Sequence, residues 1–160
     1  MKTALISMRP EIGNKTANIK KMEKFIKKEK ADLYVFGETT LTGYPNKDEF
    51  RTLSEPINGP SIKKITKLAE KNNAHIIFGM PTKKQEVKGI TNNSAILVNP
   101  DKKIDIYNKW FLPTFGPFEE KIFFDQGERI KVFNTKIGKI GIIICYDIFF
   151  PELTKALALQ

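Results

Sequence analysis

The sequence predicts an α/β fold in which helices cover the faces of a layered sheet. Short apolar runs alternate with amphipathic segments in the first half of the chain, in the order strand, helix, strand, helix, strand. The second half adds an antiparallel hairpin and ends in a strand, a sharp turn and a helix. The 160 residues, of which 41% are hydrophobic, are enough for a core. We therefore expect residues 1–160 to form a single domain.

Apolar residues at helical spacing predict two helices in the first half. The first covers residues 14–30, with Asn14 as a candidate N-cap, and the second covers residues 61–73, with Ser61 as its cap. The apolar faces consist of Ile19, Met22 and Ile26 in the first helix and of Ile62, Ile65, Leu68 and Ala69 in the second.

The remaining short apolar runs predict strands. The run that starts at His75 should end at Pro81, and the last run should be a central strand covered on both faces. A turn at residues 99–101 predicts a hairpin, and Gly138 predicts a second turn between strands. The predicted strands are residues 3–8, 33–36, 75–80, 94–98, 104–107, 130–134 and 140–144.

Three segments are predicted to be loops. Residues 39–60 are interrupted by glycine and proline, and residues 83–89 form a polar turn. Residues 109–127 are long, aromatic and rich in breakers, without a helical or strand period. Long ordered loops of this kind usually carry function, so we expect the third loop to border a site.

The formal net charge of +9 raises the question of a nucleic-acid partner. Many of the lysines lie in residues 15–30, where they form the solvated face of the first helix. The arginines are scattered, and aromatic residues do not alternate with the basic ones. This pattern predicts no nucleic-acid binding. A non-catalytic basic module that binds an acidic partner remains an open alternative.

Cysteine usage and hydropathy predict the compartment. The single cysteine excludes an internal disulfide and fits a reducing environment. The N-terminal apolar run is too short for a signal peptide, and no stretch approaches the ~20 apolar residues of a membrane span. We expect a cytoplasmic chain that has no membrane partner.

Cys145 lies where the last predicted strand ends and a helix is about to begin. Pro151 and Glu152 suit the first turn of that helix, because proline loses no helical hydrogen bond there and the carboxylate faces the positive end of the helix dipole. A nucleophile at such a junction is exposed, and backbone N–H groups point toward it. The alternative is an inert, buried apolar cysteine.

Two charged residues are candidate partners of this cysteine. Glu38 follows the strand 33–36 and should lie at its carboxyl edge, where it can accept the thiol proton. Lys109 opens the aromatic loop, where it can lower the pKa of Cys145 and stabilise an oxyanion. For each, the alternative is an ordinary surface residue. His75, the single histidine, is predicted to be structural.

Three stretches of the sequence resemble the motifs of the carbon–nitrogen hydrolase, or nitrilase, superfamily. They are GETTLTGYP around Glu38, YNKWFLPTFGPFEE around Lys109 and GIIICYDIFFPEL around Cys145. The resemblance covers essentially the whole chain. It implies a four-layer αββα sandwich, a Glu–Lys–Cys site and no metal or organic cofactor. Glu120 matches a second glutamate of the family that positions substrate and supports the lysine, and Glu119 is the alternative.

The resemblance also implies a reaction. Glu38 takes the thiol proton, Cys145 forms a thioester, and Lys109 and the backbone N–H of Tyr146 hold the oxyanion. The expected substrates are small linear amides or carbamoyl compounds, and Trp110, Phe115 and Phe118 suggest an apolar-walled pocket. The alternative is a glutaminase-type domain that supplies ammonia, as in glutamine-dependent NAD synthetase.

The sequence departs from the family pattern at several positions. Gly37 replaces a frequent proline, Phe111 replaces a common histidine, and a frequent arginine is absent at residues 154–155. The family continues with further strands and helices after the cysteine helix, so we expect a domain truncated after that helix. The family commonly pairs subunits through this helix, which predicts a homo-oligomer through residues 149–159 in the intact protein.

Overall fold

The computed structural model describes residues 1–84, 87 and 89–160. Its main sheet has five strands in the order β1–β2–β3–β4–β5. β1 pairs with β2 and β2 with β3 in parallel, whereas β3–β4 and β4–β5 are antiparallel. The strands are β1 (Thr3–Ile6), β2 (Leu33–Phe36), β3 (His75–Lys83), β4 (Thr91–Val98) and β5 (Ile104–Asn108).

Two long helices cover one face of this sheet. The Asn14 side chain accepts a hydrogen bond from Ala17 N and caps the first of them, as predicted. Buried residues of these two helices form one core cluster with the strand residues that face them. The helices of the described chain are α1 (Lys15–Lys28), α2 (Phe50–Leu53), α3 (Pro60–Asn72), α4 (Glu120–Phe123) and α5 (Pro151–Ala158), with 3₁₀ turns at Lys47–Glu49 and Cys145–Phe149.

A second, smaller sheet packs on the opposite face. It consists of β6 (Phe133–Thr135) and β7 (Gly138–Ile140), which pair antiparallel around Gly138. Phe133, Ile142 and Ile144 join main-sheet residues in a second core cluster. The main sheet therefore has apolar side chains on both faces, which explains why its strands read as nearly continuous apolar runs.

Residues 140–144 do not form the predicted central strand. β7 ends at Ile140, and no ladder of the described strands includes residues 141–144. Burial alternates along this segment: Ile142 and Ile144 are buried, Ile143 is half-buried and Gly141 is exposed. The apolar run therefore reflects packing on the main sheet and not hydrogen bonding within it.

The prediction that Pro81 ends its strand is wrong. β3 continues to Lys83, and Pro81 pairs with Asn93 of β4. The Pro81 carbonyl accepts a hydrogen bond from Glu55 N (3.4 Å), so the backbone N and O of Pro81 both point away from β4. The missing N–H therefore removes no bond from the β3–β4 ladder.

The prediction that Ser61 caps the second helix is also wrong, because α3 begins at Pro60 and its N-cap is Gly59. Capping is supplied by Glu55, which accepts hydrogen bonds from Ser61 N (2.8 Å) and Oγ (2.7 Å). Lys15 pairs with the same carboxylate at 2.6 Å. Glu55 thus joins α1 and α3 through a site that helical spacing does not reveal.

Two of the predicted loops contain short helical elements: residues 39–60 include α2, and residues 109–127 include α4. The polar turn predicted at residues 83–89 lies partly outside the described residues. No helix in the described ranges is both long and apolar enough to cross a membrane.

Candidate functional site

Glu38 stands at the carboxyl end of β2, on a turn that approaches β3 closely. Gly79 N donates to Gly37 O (3.2 Å), and Gly79 O accepts from Leu41 N (3.1 Å). A Cβ at Gly79 would lie 2.3 Å from Thr39 N and 2.8 Å from Glu38 Cα. Only glycine leaves room for this turn, so Gly79 sets the position of Glu38.

Lys109 follows β5 and is held by its backbone on both sides. Its N–H donates to Asn93 O (2.8 Å), and its carbonyl accepts from Gly127 N (2.9 Å). A Cβ at Gly127 would lie 2.1 Å from Asn108 O, so this contact also requires glycine. The side chain of Lys109 has no exposed surface.

Two carboxylates hold the buried Lys109 ammonium group. Its Nζ lies 2.8 Å from Glu38 Oε1 and 2.8 Å from Glu120 Oε1. Burial alone would lower the pKa of Lys109, but attraction to Glu38 and hydrogen bonds to both carboxylates outweigh it and raise that pKa. Lys109 is therefore a fixed positive charge in a site largely shielded from water.

The structure places Glu120, and not Glu119, beside Lys109. Glu120 begins α4 and is 3% exposed, whereas Glu119 points to solvent. The Tyr44 hydroxyl donates to the same Glu120 Oε1 (2.8 Å). Burial raises the pKa of Glu120 despite its hydrogen bond to Lys109, and burial and the bond to Glu120 raise the pKa of Tyr44. Tyr44 therefore stays protonated and acts as a donor.

Cys145 opens the 3₁₀ turn before α5, at the strand-to-helix junction that the sequence predicts. Its φ of +46° is left-handed, a strained conformation for a residue with a Cβ. The residue as a whole is exposed, but its thiol is partly desolvated and lies close enough to Glu38 for that carboxylate's charge to act on it. The strained turn thus presents the thiol to the carboxylate.

The pKa of the Cys145 thiol is raised above its ordinary value. Burial is the largest cause, and the charge of Glu38 adds to it. Lys109 acts in the predicted direction and lowers the pKa, but its effect is outweighed. The Cys145 thiol is therefore a weaker acid than a free cysteine thiol.

Asp147 is a functional candidate that the sequence analysis did not single out. It is fully buried, and its Oδ2 accepts hydrogen bonds from the Tyr107 hydroxyl (2.7 Å) and from Ile144 N (3.0 Å). Its Oδ1 accepts from Phe111 N (2.8 Å). Asp147 thereby ties the cysteine turn to β5 and to the loop that carries Lys109. In the sequence, the one feature that could have identified Asp147 is its position directly after Cys145 and Tyr146.

An aromatic cavity of about 620 Å³ adjoins the cysteine turn at Tyr146. Phe111, which stands where the resemblance implies a histidine, stacks on Phe150 with ring centroids 3.4 Å apart. Of the three aromatic residues predicted to form the pocket, Trp110 and Phe115 line this cavity and Phe118 does not. Phe118 instead packs edge-on against Tyr44.

His75 lies outside this cluster. It is 3% exposed at the amino end of β3, and its Nδ1 lies 3.3 Å from Asp32 O. Glu38 stands at the opposite end of the neighbouring parallel strand, so the sheet separates the two.

The fold and this cluster define a class of protein: an α/β chain in which a strained cysteine, a buried lysine and two glutamates meet beyond the strands of a mixed sheet. Residues 2–160 match the family model described as carbon-nitrogen hydrolase. The chain belongs to this family. The resemblance noted in the three motifs is thus confirmed, together with the fold class that it implied.

Three comparisons illustrate the relationship. The chain is 30% identical to a probable nitrilase of Schizosaccharomyces pombe over 98% of its length. It is 32% identical to the glutamine-dependent NAD(+) synthetase of Acinetobacter baylyi, also over 98%. The crystal structure of Saccharomyces cerevisiae Nit3, a nitrilase superfamily member, superposes with a TM-score of 0.87 at 27% identity and covers 99% of the chain.

The chain spans only part of the length of these relatives. It covers 59% of the nitrilase, 29% of the NAD(+) synthetase and 60% of the Nit3 chain. The family assignment therefore concerns the region that contains the three motifs and the cluster described above.

Proposed function

We propose that the chain carries the catalytic site of a thiol hydrolase that cleaves C–N bonds of small amides through a cysteine thioester. The supporting observation is the position of Lys109, fully buried between Glu38 and Glu120, with the Cys145 thiol near enough to feel the charges of Glu38 and Lys109. Burying a charge is costly even when it is paired, and buried ionisable groups with perturbed pKa values cluster at functional sites.

The proposed reaction begins with transfer of the Cys145 proton to Glu38 as sulfur attacks the amide carbon. Lys109 Nζ and the Tyr146 N–H stabilise the negative charge on oxygen. The C–N bond then breaks, the leaving nitrogen takes the proton from Glu38, and a thioester remains. Water loses a proton to Glu38, attacks the thioester and releases the acid, and the thiol recovers its proton.

The proposed substrates are small linear amides or carbamoyl compounds that are partly apolar. The cavity next to Tyr146 supports this choice, because the aromatic side chains in its wall can pack against the apolar part of such a substrate. A glutaminase-type site that supplies ammonia is the second candidate. It is favoured by the 32% identity to a glutamine-dependent NAD(+) synthetase.

The test is ammonia release from butyramide, a carbamoyl amine and L-glutamine, by the protein that carries this chain and by its Cys145→Ala variant. We expect turnover to be lost in the variant and an acyl group to be found on Cys145 by mass spectrometry. Preference for L-glutamine would select the second candidate. Undiminished ammonia release by the variant, or binding of an acidic partner as its only property, would reject both.

We further propose that two copies of the chain pair through residues 149–159. Within this segment Phe149 is 73% exposed and Leu159 79%, which is unusual for large apolar side chains. A Phe149→Glu variant should dissociate pairs by placing two carboxylates at the contact, and sedimentation equilibrium would measure the mass. A monomeric unmodified protein, or an unaltered mass in the variant, would contradict this proposal.

A further inference from the structure

We propose that Asn93 is a positioning residue that fixes the Glu38 carboxylate toward the thiol. This inference rests on the proposed function, because it assigns Asn93 a role in the proton transfer from Cys145 to Glu38.

Asn93 contacts both charged partners of the cysteine. It lies on β4 and is 1% exposed. Its side-chain Nδ2 donates to Glu38 Oε1 at 2.7 Å, and its backbone carbonyl accepts from Lys109 N at 2.8 Å. A single residue of a central strand therefore sets the side chain of the proposed base and the backbone of the proposed oxyanion holder.

The position of this hydrogen bond determines how Glu38 can act. Lys109 Nζ and Asn93 Nδ2 both donate to Oε1 of Glu38. With Oε1 held by two donors, Oε2 remains for the thiol proton. The Glu38 side chain is 20% exposed, so it is only partly confined by packing. The lysine alone is a point charge that leaves the carboxylate plane free to rotate, whereas an amide on a rigid strand fixes that plane.

The other end of the Asn93 amide supports a functional role. Its Oδ1 is buried and has no hydrogen-bond partner within the described chain. A buried carbonyl without a partner is costly and rare, and a reversed amide would point that oxygen at the Glu38 carboxylate. The arrangement therefore keeps the hydrogen bond from Asn93 to Glu38, although the side-chain oxygen of Asn93 is left without a hydrogen-bond partner among the described residues.

The neighbouring Asn92 is a matched control. It is also a buried asparagine of β4, 4% exposed, and it makes one side-chain hydrogen bond, to Asp125 O (2.9 Å). Successive side chains of a strand point to opposite faces, so Asn92 lies away from Glu38. Loss of its amide removes a comparable contact without touching the carboxylate.

The experiment measures acylation of Cys145 by 4-nitrophenyl butyrate in a single turnover, as the burst of 4-nitrophenol. The thiol sulfur bonds to the acyl carbon, 4-nitrophenolate leaves, and the thiol proton goes to Glu38. We expect Asn93→Ala to slow the burst by about 10–100-fold, as for residues that orient an active group, and Asn92→Ala to stay within about threefold. The urea midpoints of the two variants should fall by similar amounts.

The double variant Asn93→Ala/Glu38→Gln separates positioning from general damage. If Asn93 acts through Glu38, the double variant is no slower than Glu38→Gln alone, within about twofold. A further loss of about tenfold would assign Asn93 a purely structural role and overturn the inference. A normal burst in Asn93→Ala with a slow burst in Glu38→Gln would overturn it as well. A normal burst in Glu38→Gln would instead reject the proposed function.

Discussion

Replacement of Lys109 by methionine is expected to cause the largest combined loss of stability and reactivity in this chain. Methionine keeps the unbranched length of the side chain but removes the ammonium group that binds both carboxylates at 2.8 Å. Breaking a buried ion pair by removing one partner costs about 3–5 kcal/mol, because the other charge stays buried without a counterion. Loss of the proposed oxyanion donor should also slow acylation by about 100-fold or more.

The loss of stability should depend on pH in a defined direction. The pKa of Glu120 is already raised by burial, and removal of Lys109 raises it further. A carboxyl group with a raised pKa in the folded state binds its proton more tightly there than in the unfolded chain. The stability deficit of Lys109→Met should therefore shrink as the pH falls through the folded-state pKa of Glu120. Urea unfolding at several pH values measures this dependence.

Two further variants keep the interpretation clear if Lys109→Met folds poorly. Adding Glu120→Gln removes the more deeply buried of the two unpaired carboxylates, so stability should partly recover while acylation stays slow. Lys103→Met removes an exposed ammonium that pairs with Asp105 at 3.1 Å, and it should change the free energy of unfolding by less than about 1 kcal/mol. An Lys109→Met protein that is stable and acylates at the normal rate would contradict both the electrostatic account and the mechanism.

Replacement of Glu38 by glutamine is expected to change two properties of Cys145 in opposite directions. Acylation and amide turnover should fall by about 10²–10⁴-fold, because the proposed general base is lost. Burial, the charge of Glu38 and its hydrogen bond raise the pKa of Cys145 in the unmodified chain, and the last two causes disappear in the variant. The thiol should therefore ionise at lower pH in Glu38→Gln while it becomes a poorer catalyst.

The pH dependence of alkylation by iodoacetamide measures this shift without a substrate. In the unmodified chain the midpoint should lie above the ordinary thiol pKa of about 8.5, and in Glu38→Gln it should move down. Glu119→Gln is the matched control, because it removes an exposed carboxylate one residue away from Glu120. A midpoint that stays constant or rises in Glu38→Gln would show that the carboxylate does not face the thiol.

The elements that depend on local patterns were predicted well from the sequence. Helix α1, its Asn14 cap, strand β2 and the hairpin of β4 and β5 follow from apolar spacing and turn residues within a few positions of one another. Glu38, Lys109 and Cys145 were singled out because each follows a predicted strand and each lies in a motif of the family. The errors at Pro81 and at residues 140–144 arose where pairing with a distant strand, and not local composition, decides the structure.

The sequence by itself determined the family, the order of the elements and the residues with reactive groups. Only the tertiary structure decided that Glu120 and not Glu119 contacts Lys109, that Asn93 and Asp147 hold the site, and that Gly79 and Gly127 leave room for it. It also showed that burial and the charge of Glu38 outweigh the lowering effect of Lys109 on the thiol pKa. The physical reason is that burial and hydrogen bonding depend on distances of a few ångströms between segments that are far apart in the chain. The order of residues in the sequence does not record these distances.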